Sequence, residues 1–479
     1  LPGSFRLSTD ASTIFLDEGS VLMGGSPLRL FRLSERAREV VTRWRRGDAV
    51  GERGPARRLA RRLVSAGALV PVPGSPTHTA SDVTVVVPVQ DRPRQLDRLL
   101  GSLGDLSRIV VDDASADPAV VKDTAERHGA QFVALGSNLG PAAARNAGLA
   151  VAQTPLVAFV DSDCTATPDW LEPLLGHFDD PLVAVVAPRV VPAATAPSLI
   201  SRYESVRSSL DRGTTAGLVR PLAPIPYVPS AALVVRRAVA DGAHLFDPDL
   251  RGGEDVDLVW RLVAAGWDVR YEPAAIVEHD GPTTAKAFAS RRYFYGTTAA
   301  PLSRRHPAAM APLHASGWSV AVWLLLLARR PLAALAALAT PVAILARRLR
   351  GLVRNPFALA TRIAGGGTVR GALPALRGMV RAWSPLLILG LLPRRTRRAA
   401  ASAFLLTALD DWARDHADLD LVGYAALHVA DDVAYGAGVW AGCVRERTVL
   451  PLVPRLAWRS RVWSSGALRD SLGPPGDEG

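Results

Sequence analysis

Three short apolar, largely β-branched runs, Val83 to Val89, Ser107 to Val111 and Leu156 to Val160, each end at polar or acidic residues. That pattern predicts buried strands of a parallel sheet that deliver side chains to its carboxyl edge. The first run stops at Pro88-Val89 and the turn Gln90-Asp91-Arg92-Pro93, the second at Asp112-Asp113, and the third at Asp161-Ser162-Asp163. Between them, Leu96, Leu99, Leu100 and Leu103 form one helical stripe, and a further helix is expected around Val120 to His128. After Phe132 to Leu135, the segment Asn138-Leu139-Gly140-Pro141 leads into the helical run Ala142 to Gly148. Alternating strands and helices predict an α/β domain with a parallel or mixed sheet and helices on both faces. Farther on, Arg251-Gly252-Gly253 precedes a helical pattern that starts at Glu254-Asp255 and continues through Val256, Leu258, Val259 and Leu262. Tyr271 to Pro273 and Ile276 to His279 read as another strand.

The pattern before this domain is different. Thr13 to Leu16 and Ser20 to Met23 flank the turn signal Asp17-Glu18-Gly19, which predicts a hairpin. Ser34 then precedes an amphipathic helical pattern through Val40, Val41 and Trp44. Ala56 to Ala66 repeats that spacing with Arg57, Arg58, Arg61 and Arg62 on its polar side, and Ala68 to Val72 reads as a short strand. By element count, residues 1–73 are expected to form a winged-helix-like module. Gly74 to Thr79 reads as a linker.

Beyond Pro301 the chain is rich in Ala, Leu and Arg. Trp318 to Leu327 and Pro331 to Ala346 are apolar but interrupted by Arg329-Arg330 and followed by Arg347-Arg348. Counted as uninterrupted runs, neither reaches the length of a membrane-spanning helix. A basic hairpin lying on the inner membrane surface and a buried helical pair both fit, and Pro385 to Leu392 repeats the choice. Ala400 to Leu409 and Val422 to Ala434 read as ordinary helices, and Gly473 to Gly479 as a frayed tail. The expected division is 1–73, 83–300 and a helical region over 301–479.

Composition narrows these readings. With 479 residues, 48% of them hydrophobic, the chain can bury a large core and exceeds a single typical domain. The net charge of +11 comes almost wholly from arginine, because Lys122 and Lys286 are the only lysines. Arginine suits phosphate and carboxylate partners. No aromatic residues interleave Arg57, Arg58, Arg61 and Arg62, so nucleic acid is not expected as a partner. Cys164 and Cys443 are the only cysteines, which excludes a disulfide framework and favours a reducing compartment. The chain shows no charged-then-apolar leader, and a cytoplasmic protein or one peripheral to the inner face of the cell membrane is expected.

In order and spacing, Pro88-Val89, Asp112-Asp113, the Asn138 to Gly148 segment, Asp161-Ser162-Asp163 and Gly253-Glu254-Asp255 resemble the inverting family 2 glycosyltransferases. The resemblance covers about Val83 to Gly296. It implies a nucleotide-diphospho-sugar-binding (GT-A-like) fold and transfer of a hexose, glucose from UDP-glucose, with inversion. The N-terminal module resembles small peptide-recognition domains in which a leader peptide adds a strand beside the hairpin. It narrows the likeness to the branch of the family that adds sugars to a redox cofactor made from a ribosomal peptide. The acceptor implied is then a peptide-derived small molecule, with one or several sugars added, and a peptide or pathway protein is the partner implied for residues 1–73.

The resemblance assigns roles that the chemistry requires. A divalent metal, magnesium or manganese, would bridge the departing diphosphate, with Asp161, Asp163 and His279 as its ligands and Asp161 also within reach of the ribose. Asp112 and Asp113, near Pro88, match the pair that reads the base, since a carboxylate can accept a ring N–H. Arg145 and Asn146 are placed on the nucleotide side. Asp255 is the expected base for the acceptor hydroxyl, with Glu254 beside it at the substrate. At a helix start their ordinary alternative is capping, and the helix field alone would lower a base's pKa, so burial has to oppose it. Arg292 and Tyr293 stand where processive relatives carry a Gln-x-x-Arg-Trp element, and are the expected acceptor contacts. Gln90 and Asp91 depart from the aromatic and asparagine usual after Pro-Val. The other readings are a transferase that builds cell-wall or lipid-linked polysaccharide, and a non-catalytic peptide-binding protein.

Overall fold

The computed structural model describes residues 1–193, 198–240, 244–415 and 418–458. The chain forms two compact units, one of Leu1–Gly74, Ala311–Met379 and the described part of Val453–Gly479, the other of Ser75–Met310 and Val380–Leu452. The helical region expected after residue 301 therefore divides between them. The tail at Gly473 to Gly479 lies outside the described residues.

The second unit is built on a nine-stranded mixed sheet. Val83–Val89 runs parallel to Ser107–Asp112 on one side and to Leu156–Val160 on the other, and Gln131–Ala134 extends the parallel set. Ala232–Arg236 then pairs antiparallel with both Leu156–Val160 and Val183–Pro192. Asp268–His279 continues the sheet, parallel to Val183–Pro192 and antiparallel to Cys164–Ala166. All seven side chains of Val83–Val89 and all five of Leu156–Val160 are buried, as expected for strands covered on both faces. Two apolar clusters sandwich the sheet, one around Val85, Leu99 and Leu174, the other around Val86, Phe159 and Leu258. This is the GT-A-like arrangement, with the acidic strand ends gathered at one edge.

Two helices of this unit meet backbone to backbone. A Cβ on Gly438 of helix Leu421–Arg445 would lie 2.0 Å from the Tyr293 carbonyl oxygen, and one on Gly296 of helix Ala285–Thr297 would lie 2.1 Å from that of Tyr435. Glycine is the residue that permits such an approach. Beside the crossing, Arg292 bonds Asp431 at 3.0 Å and Glu204 at 2.5 Å, while Arg381 bonds Asp431 at 2.9 Å and Asp432 at 3.0 Å. Buried charges persist where they are paired in this way.

In the first unit, Ile14–Leu16, Val21–Gly24 and Arg29–Arg32 form an antiparallel meander, and Arg6–Thr9 pairs with Leu69–Val72. The helix Glu35–Arg45 begins where Ser34 accepts a bond from the Ala37 N–H. Trp44, Leu63 and Phe31 lie in its core. The sequence pattern missed strands Arg6–Thr9 and Arg29–Arg32, four residues each, whose exposed arginines and serine mask their single buried side chains. Met23, Ile14 and Leu30 share a second apolar cluster with Val342, Leu349 and Leu359. Helix Pro331–Leu349 has 19 residues, and an 18-residue stretch of it has a mean hydropathy of 1.6, enough by length and composition to cross a membrane. That corrects the expectation from uninterrupted runs, which ended at Ala346 before the arginines that complete the helix.

Candidate active site

The acidic strand ends open onto a cavity of about 760 Å³ in the second unit. Of the residues singled out by sequence, Pro88, Asp113, Arg145, Asp161, Asp163, Glu254, Asp255 and His279 line it. They come together because the parallel strands end at the same edge and Asp268–His279 returns antiparallel to Cys164–Ala166, setting Cys164 opposite His279.

Arg145 is the electrostatic centre of this edge. Its guanidinium is 2% exposed and bonds Asp161 at 2.5 Å and Glu254 at 2.9 Å. Burial works against its charge, but Asp161 and Glu254 outweigh that and hold it protonated. Burial also raises the Asp161 carboxyl pKa, with Arg145 opposing the rise and Asp163 adding to it.

Asp163 approaches His279, Oδ1 to Nε2 at 3.5 Å, while its other oxygen is bonded by Arg92. Burial holds the His279 pKa below its ordinary value against the pull of Asp163, so the imidazole keeps a free lone pair near neutrality. A carboxylate oxygen and a neutral imidazole nitrogen that converge in this way fit a magnesium or manganese ion, which takes few protein ligands and fills its sphere from phosphates and water. Among the described residues no group of three or more His, Cys, Asp or Glu is arranged to hold a metal.

Asp255 sits on the first turn of helix Glu254–Ala264, entered through Gly253 at φ +77°, a left-handed conformation that suits glycine. The carboxylate accepts the N–H of Val256 at 2.7 Å and that of Ser230 at 3.2 Å. It keeps partial exposure to the cavity in a densely packed surround. Burial first and the neighbouring Glu254 second push its pKa up to about 7, against the two amide donors and Arg145. Desolvation therefore wins over the helix field.

Other singled-out residues lie off the cavity wall. Asp112 is buried and accepts the Ser115 hydroxyl, bracing the loop after its strand. Asn146 exchanges two bonds with the Phe246 backbone at 2.7 and 3.0 Å. Asp113 does reach the cavity, with its two oxygens accepting the N–H groups of Leu139 and Gly140. Arg292 is buried in its ion cluster, and Tyr293 is 44% exposed without lining the cavity. Sequence reasoning did not reach Tyr227, Trp260, Phe294, Tyr295, Tyr435 and Arg381, which do line it. For Phe294 and Tyr295 the signal was present, since they follow Arg291 at helical spacing.

A sheet edge with an Asp-x-Asp pair, a nearby histidine and a helix-borne acid of raised pKa has the chemistry that transfer from a sugar nucleotide needs. The family description "Glycosyl transferase family 2" matches residues 84–242. The chain is 41% identical over 476 residues, 95% of its length and 98% of the relative's, to the pre-mycofactocin glycosyltransferase of Mycobacterium tuberculosis. It therefore belongs to glycosyltransferase family 2. It is also 30% identical over 234 residues, 41% of this chain and 51% of that one, to the validoxylamine A glucosyltransferase of Streptomyces hygroscopicus subsp. limoneus. Among solved structures, a mannosyltransferase from Pyrobaculum calidifontis aligns over 71% of this chain and 90% of its own, with a TM-score of 0.37 and 17% identity.

Proposed function

We propose that the protein transfers glucose from UDP-glucose, with inversion, to a peptide-derived redox cofactor precursor of the mycofactocin pathway. The observation that carries this reading is Asp255, an acid with its pKa near 7, on the same cavity wall as Asp161, Asp163 and His279. The 41% identity along nearly the whole chain to the pre-mycofactocin enzyme supports the acceptor class.

In this reading Asp163 and His279 hold the divalent ion, which when bound supplies Lewis-acid stabilisation to the departing diphosphate. Arg145 keeps Asp161 and Glu254 in place and supports the donor side. Asp113 and Pro88 border the base of the nucleotide. Asp255 takes the proton of the acceptor hydroxyl as its oxygen attacks the anomeric carbon. Residues 1–73 recognise a peptide or pathway protein through strand addition. The leucine-rich helices of the first unit rest on a membrane surface, where Leu327 and Leu332 are 80% and 82% exposed beside Arg329 and Arg330.

The test supplies purified protein, UDP-glucose and manganese to an extract of cells that lack it, with products read by mass spectrometry. Hexose-shifted cofactor species are expected with the native protein. Asp163→Ala is expected to abolish them and to weaken metal-dependent UDP binding. Growth of a lipid-linked glycan instead would select the polysaccharide reading, and no hexose transfer or hydrolysis at all would select the non-catalytic one.

A further inference from the structure

Asp163 is engaged through both of its oxygens. Oδ1 lies 3.5 Å from His279 Nε2, and Oδ2 accepts a bond from Arg92 Nη1. The two partners of that bond differ in exposure, 11% for the Asp163 side chain against 48% for that of Arg92. A pair between two exposed groups contributes little, but a carboxylate drawn out of water needs a cation or donors close by. Arg92 is that cation, and Asp163 is its only bonded partner among the described residues. Its remaining N–H groups are uncommitted beside the cavity it helps to line. Arg145 and Arg381 also line the cavity, but Asp161, Glu254, Asp431 and Asp432 hold them.

The chain builds this arginine into place. Arg92 ends the turn after strand Val83–Val89 and directly precedes helix Pro93–Ser102. Asp91 before it is left-handed at φ +55°. A short polar side chain tolerates that conformation when it bonds locally. Here the Asp91 N–H donates to the Ser115 hydroxyl at 2.8 Å, and its carboxylate accepts the Ala116 N–H at 2.7 Å. Farther along the helix, Arg98 donates to Asp280 at 2.6 Å and to Thr165 at 3.1 Å. The Asp280 N–H in turn donates to the Asp163 carbonyl at 3.0 Å. The helix thus grips the chain just after Asp163 and just after His279, which keeps Arg92 in register with the carboxylate.

We infer that Arg92 is an exchangeable cation, which neutralises Asp163 in the absence of metal and passes to the donor's diphosphate when the metal arrives, so that metal and donor bind together. The inference rests on the sugar-transfer reading, in which Asp163 and His279 hold the divalent ion. An ion on Oδ1 and His279 adds a second cation to a carboxylate that already holds one, and like charges so close repel. A diphosphate supplies the missing anion, and a guanidinium meets phosphate oxygens with two parallel bonds. Without the diphosphate the ion has to displace Arg92 or stand against it, so the metal alone binds weakly. The exchange changes no covalent bond.

The experiment titrates manganese into the full chain with and without UDP, free manganese being read by electron paramagnetic resonance against a protein-free blank. In the native protein UDP is expected to tighten manganese at least about twentyfold, within the ordinary range of coupling between two ligands. Arg92→Gln is expected to tighten manganese alone about threefold or more, since a nearby like charge is gone. It is also expected to cut the coupling to UDP at least about threefold, within the range by which one substitution changes a coupling. Arg92→Lys keeps the charge without the paired donors, so manganese alone should bind as in the native protein while the coupling falls. Manganese affinity that stays the same or weakens in Arg92→Gln would make Arg92 a brace for Asp163 and overturns the exchange. A native coupling that survives both substitutions sinks the exchange alone. Native protein that takes up no manganese even with UDP removes the metal reading, and the exchange with it.

Discussion

Asp255 shows how one residue's environment sets its chemistry. Two amide donors and a helix start favour its charged form, yet burial and Glu254 raise its pKa to about 7. A base of that strength is half-ionised near neutrality, where it can both accept and release a proton. Asp255→Asn keeps size and one of the two oxygens that accept backbone N–H groups, so UDP binding should persist while turnover falls at least about a hundredfold. Turnover of the native protein should rise with pH through about 7 on its acidic limb. Glu254→Gln removes the second cause of the shift, and a pH–rate profile should place that limb lower. The linkage to stability has a definite sign. A carboxyl whose folded pKa exceeds its unfolded value leaves the folded state holding more protons between the two, so its contribution falls as pH rises from about 4 to about 7. Melting curves should therefore show Asp255→Asn gaining stability relative to the native protein as pH rises from about 4 to about 8.

Among the elements, the crossing of Ala285–Thr297 with Leu421–Arg445 controls the cavity. Gly438 stands against the Tyr293 carbonyl and Gly296 against that of Tyr435, so any side chain at either position forces the helices apart. Gly438→Val should cost about 1–3 kcal/mol, the range for overpacking, seen as a lower denaturation midpoint. The same crossing explains what the sequence could and could not reveal. The strands that end at Asp113, Asp161 and Asp163 were legible because an apolar run followed by acids is a local pattern, and their shared edge follows from parallel pairing. The cavity-lining pair was only half legible: helical spacing from Arg291 points to Phe294 and Tyr295, but which face meets the cavity depends on a helix more than a hundred residues away. Asp112 and Asn146 were named from motif order alone, and their bonds to Ser115 and Phe246 depend on loops that no local pattern specifies.

At the scale of the whole molecule, the chain visits its first unit three times and its second twice. Composition cannot show this, because the Ala/Leu/Arg-rich stretch reads the same on either side of Met379. The leucine-rich helices of the first unit predict salt-sensitive co-sedimentation with anionic vesicles, weaker after Leu327→Ser and Leu332→Ser. Division of labour gives the last expectation. Every residue lining the candidate cavity belongs to the second unit, whereas residues 1–73 are tied to partners later in the first. Ile14, Met23 and Leu30 pack with Val342, Leu349 and Leu359, and Arg354 bonds Asp17 at 2.9 Å and Glu18 at 2.7 Å. Deletion of residues 1–73 should uncover that apolar cluster, so calorimetry should lose one unfolding transition and the protein should become prone to aggregate. UDP-glucose hydrolysis should survive in the soluble fraction, because neither Asp255 nor the Asp163–His279 clamp depends on the deleted residues. Loss of hydrolysis from folded, monodisperse truncated protein would instead give the N-terminal module a part in the chemistry itself.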